Sequence, residues 1–87
     1  MKIEIRKSFE KDADKTPESV KVRLSKIIGE ISRAGKLMDI NSCKKLTGFK
    51  NAYRIRSGSY RIGFFFENNT IELVRILHRK DMYRFFP

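Results

Sequence analysis

Apolar and charged residues alternate where the chain begins: Ile3 and Ile5 on one side, Lys2, Glu4 and Arg6 on the other. Successive side chains of a strand point to opposite faces, so residues 2–6 read as a half-buried strand. Ser8 is placed to cap a short helix running to about Asp14, with Phe9 and Ala13 one turn apart on its inner side. Thr16-Pro17 signals a second helix, with Thr as N-cap and Pro at the first helical position. Val20, Leu24, Ile27, Ile28 and Ile31 then recur at helical spacing, while Lys21, Arg23, Lys26, Glu30 and Arg33 fill the other faces. Gly35 fits a C-cap.

Residues 36–52 show no single period. Leu37 and Ile40 are expected to pin a connecting turn onto the core, and Gly48 and Asn51 mark loop chemistry. From Tyr53 the period changes to two. Tyr53 and Ile55 alternate with Arg54 and Arg56; Ser57-Gly58-Ser59 makes a tight turn; Tyr60, Ile62, Phe64 and Phe66 alternate with Arg61, Gly63 and Phe65. Asn68-Asn69 is a second turn before a last strand over 70–77. The pattern predicts one α+β domain over residues 1–87: an N-terminal strand, two helices, then a three-strand antiparallel meander, with the helices on one face of a small, mainly antiparallel sheet.

Charge sharpens that picture. The chain has 20 Lys and Arg against 10 Asp and Glu, a formal net charge of +10. Residues 1–43 carry ten basic against seven acidic residues, and residues 44–87 carry ten against three, so the excess lies in the meander half. Such an imbalance points to a polyanionic partner. A lone cysteine, Cys43, excludes a disulfide framework within the chain and suits a reducing cytoplasm. MKIEIRK lacks the apolar stretch of a signal peptide, and no apolar run reaches membrane-spanning length. One histidine among scattered carboxylates makes no metal site.

Strand parity gives the basic residues a place. With Tyr53 and Ile55 facing the core, Arg54 and Arg56 face away, and the tight turn brings Arg61 back beside them. Three guanidiniums on one sheet face repel one another and do nothing for folding, whereas a bound phosphate relieves the repulsion and matches the planar fork of arginine. That favours a phosphate site over a merely solvated strand face. His78 ends the last strand and is followed by Arg79, Lys80 and, slightly later, Tyr83. Neighbouring cations favour a neutral imidazole, which accepts a proton. Tyr83 reads either as a core aromatic beside Phe85 and Phe86 or as a ring that stacks on a nucleobase.

The run KKLTGFKNAYRIRSGSYRIGFFFENNTIELVRILHRKDMYRFFP resembles the second half of RelE/ParE-superfamily toxins: Leu-x-Gly, a Tyr-Arg-Ile-Arg strand, a Gly-containing turn, Tyr-Arg-Ile, and a closing His-Arg-x-x-x-Tyr. The resemblance implies a toxin of a type II toxin-antitoxin pair, neutralised by a cognate acidic antitoxin, with operator DNA reached only through that antitoxin. RelE-like members are ribosome-dependent mRNA endoribonucleases that use the substrate's own 2′-hydroxyl, without metal or cofactor. ParE-like members share the fold and poison DNA gyrase. By position, Arg54 and Arg56 match basic residues on the second strand of RelE-like enzymes, Arg61 a transition-state arginine, Arg79 a basic residue after the last strand with Lys80 beside it, and Tyr83 a base-stacking tyrosine. His78 matches a histidine found in several branches. Arg54 and Arg56 stand where the best-known nuclease has lysines, and arginine is a poor general base. His78 is then the proton acceptor by elimination. A gyrase poison and a catalytically inactive RNA-binding relative are the alternatives.

Overall fold

The computed structural model describes all 87 residues. Strand β1 (Lys2–Ile5) leads into helices α1 (Lys7–Asp14) and α2 (Glu18–Arg33) and a short 3-10 turn, Leu37–Asp39. Strands β2 (Cys43–Lys45), β3 (Ala52–Ser57), β4 (Tyr60–Glu67) and β5 (Thr70–His78) follow, and a last turn of helix, α3 (Met82–Phe85), closes the chain. The sheet order is β1-β5-β4-β3-β2, with β1 parallel to β5 and every other pair antiparallel. The α+β reading therefore holds, with a fourth strand, β2, added to the meander. Three residues with two exposed lysines are too short and too polar to show a period, and that is how a sheet edge is normally kept from pairing further.

Parity puts the main core between the sheet and α1 and α2. Phe9, Val20, Leu24 and Ile31 from the helices meet Ile55, Ile62, Phe64, Ile71, Leu73 and Ile76 from the strands. Tyr53 stacks on its cross-strand partner Phe64 with ring centroids 5.4 Å apart. Ile40 is buried and Leu37 packs beside the cluster, so the connecting turn is pinned as its sequence predicts. Asn68 and Asn69 both take positive φ, 52° and 56°, the twist a two-residue hairpin needs.

Three capping expectations are corrected. Ser8 does not cap α1; Arg6 holds that position, and the Ser8 hydroxyl donates to the Val74 carbonyl at 2.6 Å. Thr16 does not cap α2; its hydroxyl donates back to the Ala13 carbonyl at 2.7 Å, closing α1, and Pro17 becomes the N-cap. Gly35 is not the C-cap of α2; Ala34 is, in an extended conformation. The first correction has a tertiary cause. Strand β1 covers β5 only over Thr70–Leu73, leaving the rest of that edge unpaired. Helix α1 completes it: Ser8 donates to Val74, and Asp12 accepts from the Ile76 N–H at 3.2 Å and pairs with Arg75 at 2.7 Å. Ser8→Ala removes one such bond and strands a carbonyl, so urea unfolding is expected to show a loss of about 1 kcal/mol. An unchanged midpoint would mean that water replaces the hydroxyl at no cost.

The opposite face of the sheet carries a second, smaller cluster: Leu46, Ala52, Val74, Met82 and Phe86, with Phe65 and Leu77 against it. Here α3 lies on the strands directly over Gly63. A Cβ at that position would stand 2.6 and 2.7 Å from the Phe86 ring and 2.8 Å from the Met82 methyl. Only a residue without a side chain lets the C-terminal segment reach the sheet.

Candidate nucleic-acid interface

The arginines share that second face, around the C-terminal segment. Register sets Arg56 directly opposite Arg61, and sets Lys44, Arg54 and Gly63 in one row across β2, β3 and β4. Arg61 is held at the β3–β4 turn: its Nη1 donates to the Gly58 carbonyl at 2.7 Å and to the Tyr60 carbonyl at 2.9 Å. Arg54 reaches the Ser42 carbonyl at 3.4 Å, and Arg56 is exposed. Partial burial, then the charges of Arg54 and Arg56, push the Arg61 guanidinium below its ordinary value; Tyr83 opposes the shift and Arg79 adds to it. Arginine stays protonated through any such shift, so this is a standing concentration of positive charge. The same interactions put Arg79 and Tyr83 within electrostatic reach of Arg61.

Tyr83 is exposed, although buried Met82 and Phe86 flank it in the sequence. It is thus no core aromatic; α3 buries its neighbours and leaves its ring in solvent. The Arg79 N–H donates to the Ser59 carbonyl at 2.7 Å, tying the end of β5 to the same turn that holds Arg61. His78 is not brought to this cluster. It is the register partner of Tyr60, meets that ring edge-on at a centroid distance of 5.5 Å, and so shares the helix-side face with Ile62 and Ile76. Its Nδ1 accepts the Lys80 N–H at 3.2 Å. Lys80 itself is exposed on the turn after β5. Burial pushes the Cys43 thiol up, against the opposing pull of Arg54, which leaves a neutral, poorly nucleophilic group.

Two recesses flank the second cluster. At the arginine end, a cavity of about 470 Å³ lies between the Lys44–Phe49 segment and the C-terminus, with Arg54 and Tyr83 in its wall. At the far end of the same face, a hollow of about 540 Å³ is lined by Glu4, Glu67 and Glu72 with Arg6. Arg6 is paired with Glu72 at 2.8 Å and sits over the Phe65 ring. One face is therefore cationic at one end and acidic at the other. Phe49, Gly63 and the two lysines of β2 belong to this surface and were not singled out by sequence pattern. The legible signal was Leu46-Thr47-Gly48: Gly48 has φ 86°, the Phe49 N–H reaches back to the Leu46 carbonyl at 3.4 Å, and the turn anchors buried Leu46 while exposing Phe49.

No helix is long and apolar enough to cross a membrane. Comparison with known proteins agrees with the geometry. A family model described as the ParE toxin of type II toxin-antitoxin system, parDE, matches residues 3–83. Toxin RelE3 of Methanocaldococcus jannaschii is 41% identical over 88 residues, covering 100% of both chains. The RelB-RelE antitoxin-toxin complex from Methanococcus jannaschii contains a chain that superposes with a TM-score of 0.82 at 39% identity, covering 97% of this chain and 99% of that one. The archaeal RelE-RelB complex from Pyrococcus horikoshii shares the fold, with a TM-score of 0.72 at 19% identity over 93% and 97% of the two chains. A family match that spans nearly the whole chain, and a full-length relative at this identity, place the protein in the RelE/ParE superfamily as a toxin of a type II toxin-antitoxin system.

Proposed function

We propose that this toxin is an endoribonuclease that cleaves mRNA on the ribosome, without metal, and that a cognate acidic antitoxin neutralises it by covering the cationic face. The observation that carries the reading is the gathering of Arg54, Arg56, Arg61 and Arg79 around one strand turn with Tyr83 exposed beside them. In the reaction, the ribose 2′-oxygen attacks the adjacent phosphorus and passes its proton to solvent water. The bond from phosphorus to the 5′-oxygen breaks, and that oxygen takes up a proton. The products are a 2′,3′-cyclic phosphate and a 5′-hydroxyl. Negative charge grows on the phosphoryl oxygens in the transition state, and Arg61, with Arg56 beside it, supplies preorganised donors there. Arg54 and Arg79 hold the strand, Lys80 extends the basic run, and Tyr83 offers a ring for base stacking. His78, across the sheet, acts through its packing on Tyr60 rather than as the proton acceptor.

The 41% identity to Toxin RelE3 supports the nuclease side of the family, and the RelB-bound relative supports an antitoxin partner. The site of action is then the cytoplasm, where ribosomes translate. In a translating extract, message is expected to be cut to fragments bearing a 5′-hydroxyl, and His78→Ala is expected to stay within a few-fold of the parent rate. Intact message with inhibited gyrase supercoiling is the result that overturns this reading in favour of gyrase poisoning.

A further inference from the structure

We infer that the cavity beside Arg54 is a pocket for one unstacked nucleobase next to the scissile phosphate, with Phe49 as its specificity-determining wall; this rests on the nuclease reading above. The cavity is lined by Lys44, Lys45, Phe49 and Arg54 from the β2 side and by Tyr83, Phe86 and Pro87 from the C-terminal segment. Cationic rim and aromatic floor together fit a sugar-phosphate backbone carrying a base, because the rim meets the phosphates and a π-face receives any base. Part of that lining serves folding, since Phe86 belongs to the second cluster and the β2 lysines guard the sheet edge, but exposed Phe49 and Tyr83 pack in neither cluster. Phe49 is 48% exposed, carried outward by the Gly48 turn, and Lys44 and Lys45 leave β2 with no acidic partner.

Position ties the cavity to the reaction. Arg54 lines it and, on the same strand face, stands two residues from Arg56, the register partner of Arg61. Tyr83 lines it as well, in the turn of helix that docks over Gly63, two residues along β4 from Arg61. A strand whose phosphate lies on Arg61 and Arg56 has a neighbouring base within reach of the Arg54 side. The wall opposite the C-terminus is the turn in which Gly48 takes a positive φ with open space around its α-carbon, and half-exposed Phe49 follows it. The chemistry selected is a planar heterocycle of single-stranded RNA; preference among bases arises from ring size against the Phe49 wall.

The test is single-turnover cleavage on programmed ribosomes, using messages that carry an abasic nucleotide immediately 5′ or 3′ of the cut. Phe49→Ala is expected to slow cleavage of the intact message about tenfold, within the range that base–aromatic stacking supplies. One of the two abasic messages is expected to be slowed similarly for the parent and no further for Phe49→Ala, whereas Phe49→Tyr retains the parent rate. Thermal melts of each variant show that folding is unchanged. Losses that multiply at both abasic positions, or Phe49→Ala cleaving as fast as the parent, overturn the pocket while leaving the nuclease reading standing. Weakened antitoxin binding with cleavage unaffected assigns the cavity to a protein partner and overturns the pocket too. A parent that cuts no message overturns both.

Discussion

Arg61→Ala is expected to cut message at least about a hundredfold more slowly than the parent in single-turnover assays, with a melting temperature equal to or above the parent's. The rate loss follows from where the guanidinium is fixed. Its Nη1 is already committed to the Gly58 and Tyr60 carbonyls, so the group is oriented before substrate arrives. One preorganised donor to a developing oxyanion is worth about 3 kcal/mol or more of barrier. The stability term runs the other way. Arg61 faces Arg56 across the ladder and feels the charges of Arg54 and Arg79, so removing it relieves repulsion. The released carbonyls lie at an open turn where water serves them. Arg61→Lys keeps the charge and loses the fork, and recovers only part of the rate. An Arg61→Ala protein that cuts at the parent rate, or that fails because it no longer folds, removes Arg61 from the site.

Gly63→Ala is expected to cost about 1–3 kcal/mol of stability, the usual range for an overpacked contact, and at least tenfold in cleavage. The Met82 methyl is the end of a flexible side chain and can move away. The Phe86 ring, 2.6 and 2.7 Å from the added carbon, is held among Leu46, Ala52 and Val74 and cannot move without lifting the segment. Tyr83 lies between Met82 and Phe86, so it is displaced with them. Ile62 and Phe64, on either side of Gly63, face the main core and are untouched, so far-ultraviolet circular dichroism stays native while the urea midpoint falls. A Gly63→Ala variant equal to the parent in both rate and midpoint would show that the segment does not depend on this approach.

Where the sequence was legible, a period carried the information. The helical stripe from Val20 to Ile31 and the alternation from Tyr53 to Phe66 fixed both layers and put Arg54, Arg56 and Arg61 on one face. What was illegible depended on tertiary contacts. Ser8 and Thr16 have the chemistry of caps, but a bare edge of β5 and the end of α1 claimed their hydroxyls first. The short β2 shows no period. His78 was judged by its basic neighbours in sequence, whereas its parity with Ile76 sets it on the helix side; the register shift between Gly63 and Phe64 gives β5 an extra residue at Val74, which moves the core-facing positions from Ile71 and Leu73 to Ile76 and His78. The docking of α3 over Gly63 is a close approach between distant segments that no local pattern announces.

The division of the sheet into a face covered by α1 and α2 and a face that carries the arginines beside α3 bears on how such a chain diverges. Ile55, Ile62 and Phe64 alternate residue by residue with Arg54, Arg56, Arg61 and Gly63, so the two sets of selective pressures are interleaved in sequence yet separated in space. Arg54, Arg56 and Arg61 can be exchanged without renegotiating the core that α1 and α2 cover. Binding chemistry is then free to change on one surface while the scaffold beneath it is kept.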